Sequence, residues 1–200
     1  MLKERDYKPL DMQYFIDTVE ICRPSSPIPV TFDSPALDVM TDLRKVQAAV
    51  ISPETPMEVA NTYMIQRGVR TLLVVHDTEN LVGIITATDI LGEKPMRFIQ
   101  QRNIKHNEIL VADIMTPLKK LEAIPLEEIE HARVGNIVAS LYRSGRLHAL
   151  VAENVKHHGL SKICGIFSWT QIEKQLGRKI TTPVKVAKSF AEIESTLIAS

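Results

Sequence analysis

Hydrophobic positions along this chain fall into short runs and helical spacings, and the two kinds alternate twice in the same order. Thr71–Val75 and Leu81–Ile85 are apolar, partly β-branched runs on either side of a polar turn, Asp77–Asn80. That pattern predicts a β-hairpin. Upstream, Met57, Ala60, Asn61, Met64 and Ile65 recur at helical spacing. Thr55, Pro56 and Glu58 read as the start of that helix, with Thr55 and Glu58 exchanging hydrogen bonds, and Gly68 reads as its stop. Val46–Ile51 predicts a short buried strand before the helix, and Thr86–Gly92 predicts a second helix after the hairpin. The order is β-α-β-β-α.

The same order returns downstream. Val134, Ile137, Val138 and Leu141 carry a helix, Gly145 matches Gly68, and Ala149–Ala152 and Ile163–Phe167 match the hairpin runs. The turn Glu153–Lys162 is longer and holds His157, His158 and Gly159. Ala132 stands where Thr55 stands, so the second helix lacks the expected cap. Words repeat as well as patterns. Asp38-Val-Met-Thr41 is answered by Asp113-Ile-Met-Thr116, and Gly83-Ile-Ile-Thr-Ala-Thr-Asp89 by Gly165-Ile-Phe-Ser-Trp-Thr-Gln171. Two ordered copies mean a duplicated module, and the cleft between copies is the first place to seek function.

The rest of the chain is arranged around these copies. Residues 1–36 read as an extension: Asp11–Val19 has the pattern of a short helix, and Pro24, Pro27, Pro29 and Pro35 then break regularity in a linker or strap. The first repeat spans 37–92. Residues 93–109 form a polar linker, expected to be helical with Met96, Phe98 and Ile99 as its apolar face. The second repeat spans 110–177. In the tail, 178–200, Phe190, Ile193 and Leu197 predict one more amphipathic helix, capped by Ser189.

Composition narrows the function classes. The chain is 44% hydrophobic and 24% charged, with 24 basic and 24 acidic residues, so neither a nucleic-acid nor a membrane partner is indicated. Its apolar runs are too short to span a bilayer, and the N-terminus lacks a signal-peptide pattern. Cys22 and Cys164 make neither a disulfide framework nor a zinc site, which points to the cytoplasm. No catalytic constellation, Walker loop or dinucleotide fingerprint stands out, and His157 and His158 have no ligand partners at metal spacing. No catalytic residue and no metal ligand is assigned, and no enzyme activity is expected.

The leading Asp-h-Met-Thr, the strand, the helix, the hairpin and the Gly-h-h-Thr-x-x-Asp before the last helix together resemble the cystathionine-beta-synthase (CBS) domain. The first repeat matches almost throughout; in the second, Gln171 stands where the family has Asp. The resemblance implies an α+β fold in which two β-α-β-β-α repeats pack about a pseudo-twofold axis as a Bateman module, with short N- and C-terminal extensions. It implies an adenosyl ligand between the repeats, such as AMP, ADP or ATP, and no required cofactor. It also implies a homodimer and a regulated partner protein that the sequence does not identify.

Carried onto this chain, the resemblance makes Asp89 a ribose anchor and Thr86 a phosphate contact, with Gly83 leaving the backbone open to close approach. The same Thr86–Asp89 pattern is also a helix cap that needs no ligand. Ser168 and Gln171 hold the equivalent places in the second repeat. There a neutral amide accepts more weakly than a carboxylate, so this site is expected to be the weaker. Arg70, Arg146 and His148 are phosphate candidates, His148 when protonated. Thr71 and Leu147 stand at the same family positions, and Trp169 is a candidate to stack or to pack. Val50, Ile51 and Pro53, facing Ala123, Ile124 and Pro125, are candidates for an apolar adenine slot. The reading is an adenosine-nucleotide sensor; its alternative is a ligand-free structural or dimerisation module that modulates a partner.

Overall fold

A computed structural model of the chain describes residues 10–14, 16, 18–21, 28–77, 80–154 and 161–181. After a 3-10 turn at Ala36–Val39, the first half runs β1 (Thr41–Asp42), β2 (Val50–Ile51), α1 (Met57–Arg67), β3 (Thr71–His76), β4 (Asn80–Thr86) and α2 (Ala87–Leu91). The linker helix α3 (Lys94–Arg102) follows. The second half runs α4 (Val111–Ile114), β5 (Thr116–Pro117), β6 (Ala123–Pro125), α5 (Leu126–His131), α6 (Val134–Ser144), β7 (His148–Asn154), β8 (Ser161–Ser168) and α7 (Trp169–Leu176). The mixed α+β fold expected from the sequence is the one observed.

The strands form two four-stranded sheets, ordered β2-β3-β4-β5 and β6-β7-β8-β1. In each, the first pair is parallel and the others antiparallel. The hairpins match down to an irregularity in register, at Val74/Val75 in one and Val151/Ala152 in the other. Helices α1 and α6 both end on a left-handed glycine, Gly68 with φ 64° and Gly145 with φ 66°, a conformation glycine adopts without steric cost.

Each repeat lends its leading strand to the other repeat's sheet. Thr41 of β1 pairs with Ile166 of β8, and Thr116 of β5 pairs with Ile84 of β4. This exchange explains the paired echoes in the sequence. A Cβ on Gly83 would stand 2.6 Å from the Thr116 carbonyl oxygen, and one on Gly165 2.5 Å from the Met40 sulfur. The glycine of each late motif therefore makes room for the early motif of the other repeat.

The same exchange starts the helices. The Met57 amide donates to the Ile109 carbonyl, and Thr55 accepts from the Val111 amide through its own carbonyl. The expected Thr55–Glu58 cap is therefore absent: Pro56 is the N-cap without a side-chain bond, and Glu58 instead faces His106 at 3.2 Å. A neighbouring backbone satisfies groups that a side chain was expected to satisfy. In the second half, Val134 and Gly135 donate to the carbonyls of Ser34 and Phe32, and Asn136 accepts from the Arg133 amide at 2.8 Å. The segment before the first repeat is thus the counterpart of the linker before the second.

Two cores result. One joins Met57, Leu72 and Ile85 to Ile109, Val111 and Ile114; the other joins Ile137, Leu141 and Phe167 to Val30, Ala36 and Val39. Leu73, Ile84 and Leu150 bind the two sheets together, with Leu43, Leu121 and Ile166 packed against them.

Four other expectations change. The strand predicted over Val46–Ile51 shrinks to Val50–Ile51, because the chain before it peels away to line a cleft. The described residues of 11–19 carry no helix: Met12, Tyr14 and Ile16 are exposed, and a short helix with no core to cover is marginal. In α3, Phe98 and Ile99 pack on the core but Met96 is exposed. An extra helix, α5, precedes α6. Cys22, His157, His158, Ser189 and the expected tail helix lie outside the described residues.

Candidate functional site

A cleft of about 1040 Å³ opens where three segments meet. The chain after β1 supplies Leu43 and Val46–Ala49, the turn from α1 into β3 supplies Arg67–Thr71, and the start of α7 supplies Ser168, Thr170 and Gln171. Topology puts them together: β1 lies on β8 by strand exchange, so the first repeat's leading loop sits over the second repeat's last motif. Of the residues singled out from sequence, Arg70, Thr71, His148, Ser168 and Gln171 meet here.

The cleft is basic. Arg67, Arg70, Lys174, Arg178 and Lys179 line it, against Glu173 as the one carboxylate among its lining residues. Glu173 is already engaged, accepting from the Ile180 amide at 3.0 Å and from Lys179 at 3.4 Å. Clustered cations around a concave site favour an anion. A second cavity of about 320 Å³ shares Arg70, His148, Thr170 and Lys179 with it and is also lined by Thr88 and Trp169. The Trp169 indole packs in the second core and is 2% exposed. Its N–H, like the Thr71 hydroxyl, is buried without a hydrogen-bond partner among the described residues.

His148 corrects an expectation about charge. Burial, and then the nearby Arg70 guanidinium, push it down to about 4, with Asp89 pulling weakly the other way. The imidazole is neutral at pH 7, so it offers hydrogen bonds rather than a positive charge.

The Thr86–Asp89 motif forms the capping arrangement. The Asp89 amide donates to the Thr86 hydroxyl oxygen at 3.2 Å. One Asp89 carboxylate oxygen accepts from the Thr86 amide at 2.8 Å and the Thr86 hydroxyl at 2.7 Å. The other contacts the Lys94 ammonium, which also donates to the Ile114 carbonyl at 3.0 Å. Asp89 is buried, at 8% exposure, with both oxygens bonded within the chain. The room Gly83 leaves is taken by Met115 and Thr116. Arg146 donates to the Lys120 carbonyl at 3.1 Å and lies 3.8 Å from Glu122. Ile51 is in the first core, and buried Pro53 offers its carbonyl to Ala112. Val50, Ala123 and Pro125 are exposed and Ile124 packs on the second core, so the expected apolar slot is not assembled from them.

Sequence reasoning missed Lys94, Gln175 and the basic end of α7. The last two carried a signal: Gln175 lies four residues from Gln171, on the same helix face, and Lys174, Arg178 and Lys179 are a visible basic cluster. Lys94 reaches Asp89 only through the turn after α2, which no spacing rule reports.

The family model of the CBS domain matches residues 36–95. Among solved structures, an uncharacterized conserved protein from Pyrococcus horikoshii superposes with a TM-score of 0.53 at 23% identity, covering 76% of this chain and 99% of that one. CBSX2, a CBS-pair protein of Arabidopsis thaliana, in complex with AMP, gives 0.50 at 21% identity, covering 70% of this chain and 93% of that one. In sequence, the inosine-5'-monophosphate dehydrogenase of Thermoplasma acidophilum is 33% identical over 101 residues, 50% of this chain. The match spans 19% of that relative's length. Residues 36–95 match the CBS domain, the second half repeats the strand order and hairpin of the first, and the chain has the fold of a CBS-domain pair.

Proposed function

We propose that this CBS pair is a regulatory module that binds an adenosine nucleotide, AMP, ADP or ATP, in the cleft at Gln171. The observation that carries the reading is the cleft itself: about 1040 Å³ between the two halves, with Arg70, Ser168 and Gln171 on its wall and further cations around it. Arg70 and the cations of α7 suit a phosphate, Ser168 donates to it, and Gln171 meets the ribose. The AMP complex of CBSX2 supports the ligand class. Because the cleft wall comes from both repeats, a bound nucleotide favours one arrangement of the halves and so changes what they present to a partner protein. The role is regulatory, not catalytic. Calorimetric titration with AMP, ADP, ATP, S-adenosylmethionine and GTP tests it. Selective adenosyl binding is expected; no adenosyl compound binding below millimolar would favour a ligand-free dimerisation module. That second reading draws on the internal use of Asp89 and on the amide at position 171.

Either reading includes a homodimer. Ile65 of α1 and Tyr142 of α6 hold equivalent places in the two halves and are 72% and 56% exposed. Paired helix faces would cover them. Light scattering at high micromolar concentration should give a dimer; a monomer would contradict it.

A further inference from the structure

Gln175 is, with Asp89, one of two buried polar side chains among the described residues. Its side-chain nitrogen lies 2.9 Å from the Asp38 carbonyl oxygen and 3.4 Å from that of Ile28. Carbonyl oxygens only accept, so the nitrogen of Gln175 must face them, and its oxygen must face the other way. That oxygen meets Gln171 at 3.1 Å. Gln171 must therefore turn its nitrogen inward to donate. The oxygen of Gln171 is then left as an acceptor at the cleft wall, with no partner among the described residues.

We propose that Gln175 is the positioning residue of this cleft: it fixes the Gln171 amide with its oxygen toward a bound ribose diol, and ties that orientation to the segment 28–38. The ribose part rests on the nucleotide reading above. An acid at position 171 would set acceptor against acceptor at Gln175, so the amide here is one half of a matched pair. The tie to the strap is direct. The Val30 amide donates to the Gln175 backbone carbonyl at 3.0 Å, and the strap in turn supplies the Phe32 and Ser34 carbonyls that hold the start of α6. Undocking the strap frees Gln175, and Gln171 then loses its fixed orientation.

Two readouts test this on the full chain. The first needs no nucleotide. Gln171→Ala leaves the Gln175 oxygen without its donor, and hydrogen exchange at the Val30 amide should quicken severalfold; an unchanged rate overturns the clasp. The second titrates AMP, ADP and ATP, then compares the tightest binder with its 2′,3′-dideoxy analogue. Wild type should prefer the ribose form by about 2- to 10-fold, the worth of one hydrogen bond. Gln175→Met, checked for folding by its melting curve, should bring the preference toward one, and should add nothing in a Gln171→Ala background. A preference that survives Gln175→Met overturns the positioning role. If wild type binds none of the three, the nucleotide reading falls and takes the ribose role with it, while the Val30 exchange still decides the clasp.

Discussion

At the start of α2, Asp89 gives both carboxylate oxygens to its own chain; at the equivalent place in α7, Gln171 stands on the wall of a basic cleft. The two halves share strand order, hairpin irregularity and glycine stops. The difference therefore lies in how a few side chains are used. A Thr-x-x-Asp at a helix start serves equally well as a cap or as a ribose anchor, since both need an acceptor beside free amides. In the first half, Lys94 completes the cap. In the second, no side-chain cap bond forms at Ser168, and Gln171 donates to Gln175 instead. A complete motif and an open site are separate properties.

The largest effect should come from the exchanged strands. Replacing Gly83 by Ala drives a Cβ into the Thr116 backbone, whereas Gly165→Ala meets the flexible end of Met40. Overpacking typically costs 1–3 kcal/mol, and backbone yields less readily than a methionine. Gly83→Ala should therefore lower the denaturation midpoint clearly more than Gly165→Ala. Equal losses would mean that the halves tolerate the crossing alike.

Next, the two motif residues should separate in stability. Asp89→Ala removes a cap, worth about 0.5–2 kcal/mol, and leaves Lys94 without its carboxylate. Gln171→Ala removes one partly exposed amide bond and should cost less. Thermal melts of both variants check the order.

The repeats, hairpins, helix stops and family pattern were legible because each is written in local spacing. The cap of α1 was not, because Ile109 and Val111, far along the chain, supply its bonds. Nor was the role of Gly83, which sequence alone assigns to a ligand and the fold gives to Thr116. Arg70, Ser168 and Gln171, singled out from the motifs, line the cleft. Which of two similar motifs faces open space depended on Lys94, whose reach to Asp89 is a matter of the turn at Gly92.

The smallest effect concerns pH. Because folding lowers the His148 pKa from 6.5 to about 4, protonation favours the unfolded chain. Its contribution is complete above pH 6.5 and is lost as pH falls toward 4. His148→Gln should flatten stability across that window. A nucleotide phosphate nearby should raise the histidine's pKa, so binding at pH 5 should take up protons, measurable as a buffer-dependent calorimetric heat.

The central claim is that the nucleotide site is the cleft at Gln171 and not the complete motif at Asp89. Its most direct measurement is a side-by-side titration of Gln171→Ala and Asp89→Ala with AMP, ADP and ATP, both proteins verified as folded. Gln171→Ala should weaken binding several-fold while Asp89→Ala keeps the wild-type affinity at a lower melting temperature. Loss of binding in folded Asp89→Ala, with Gln171→Ala unchanged, would contradict the account and return the site to the first repeat's motif.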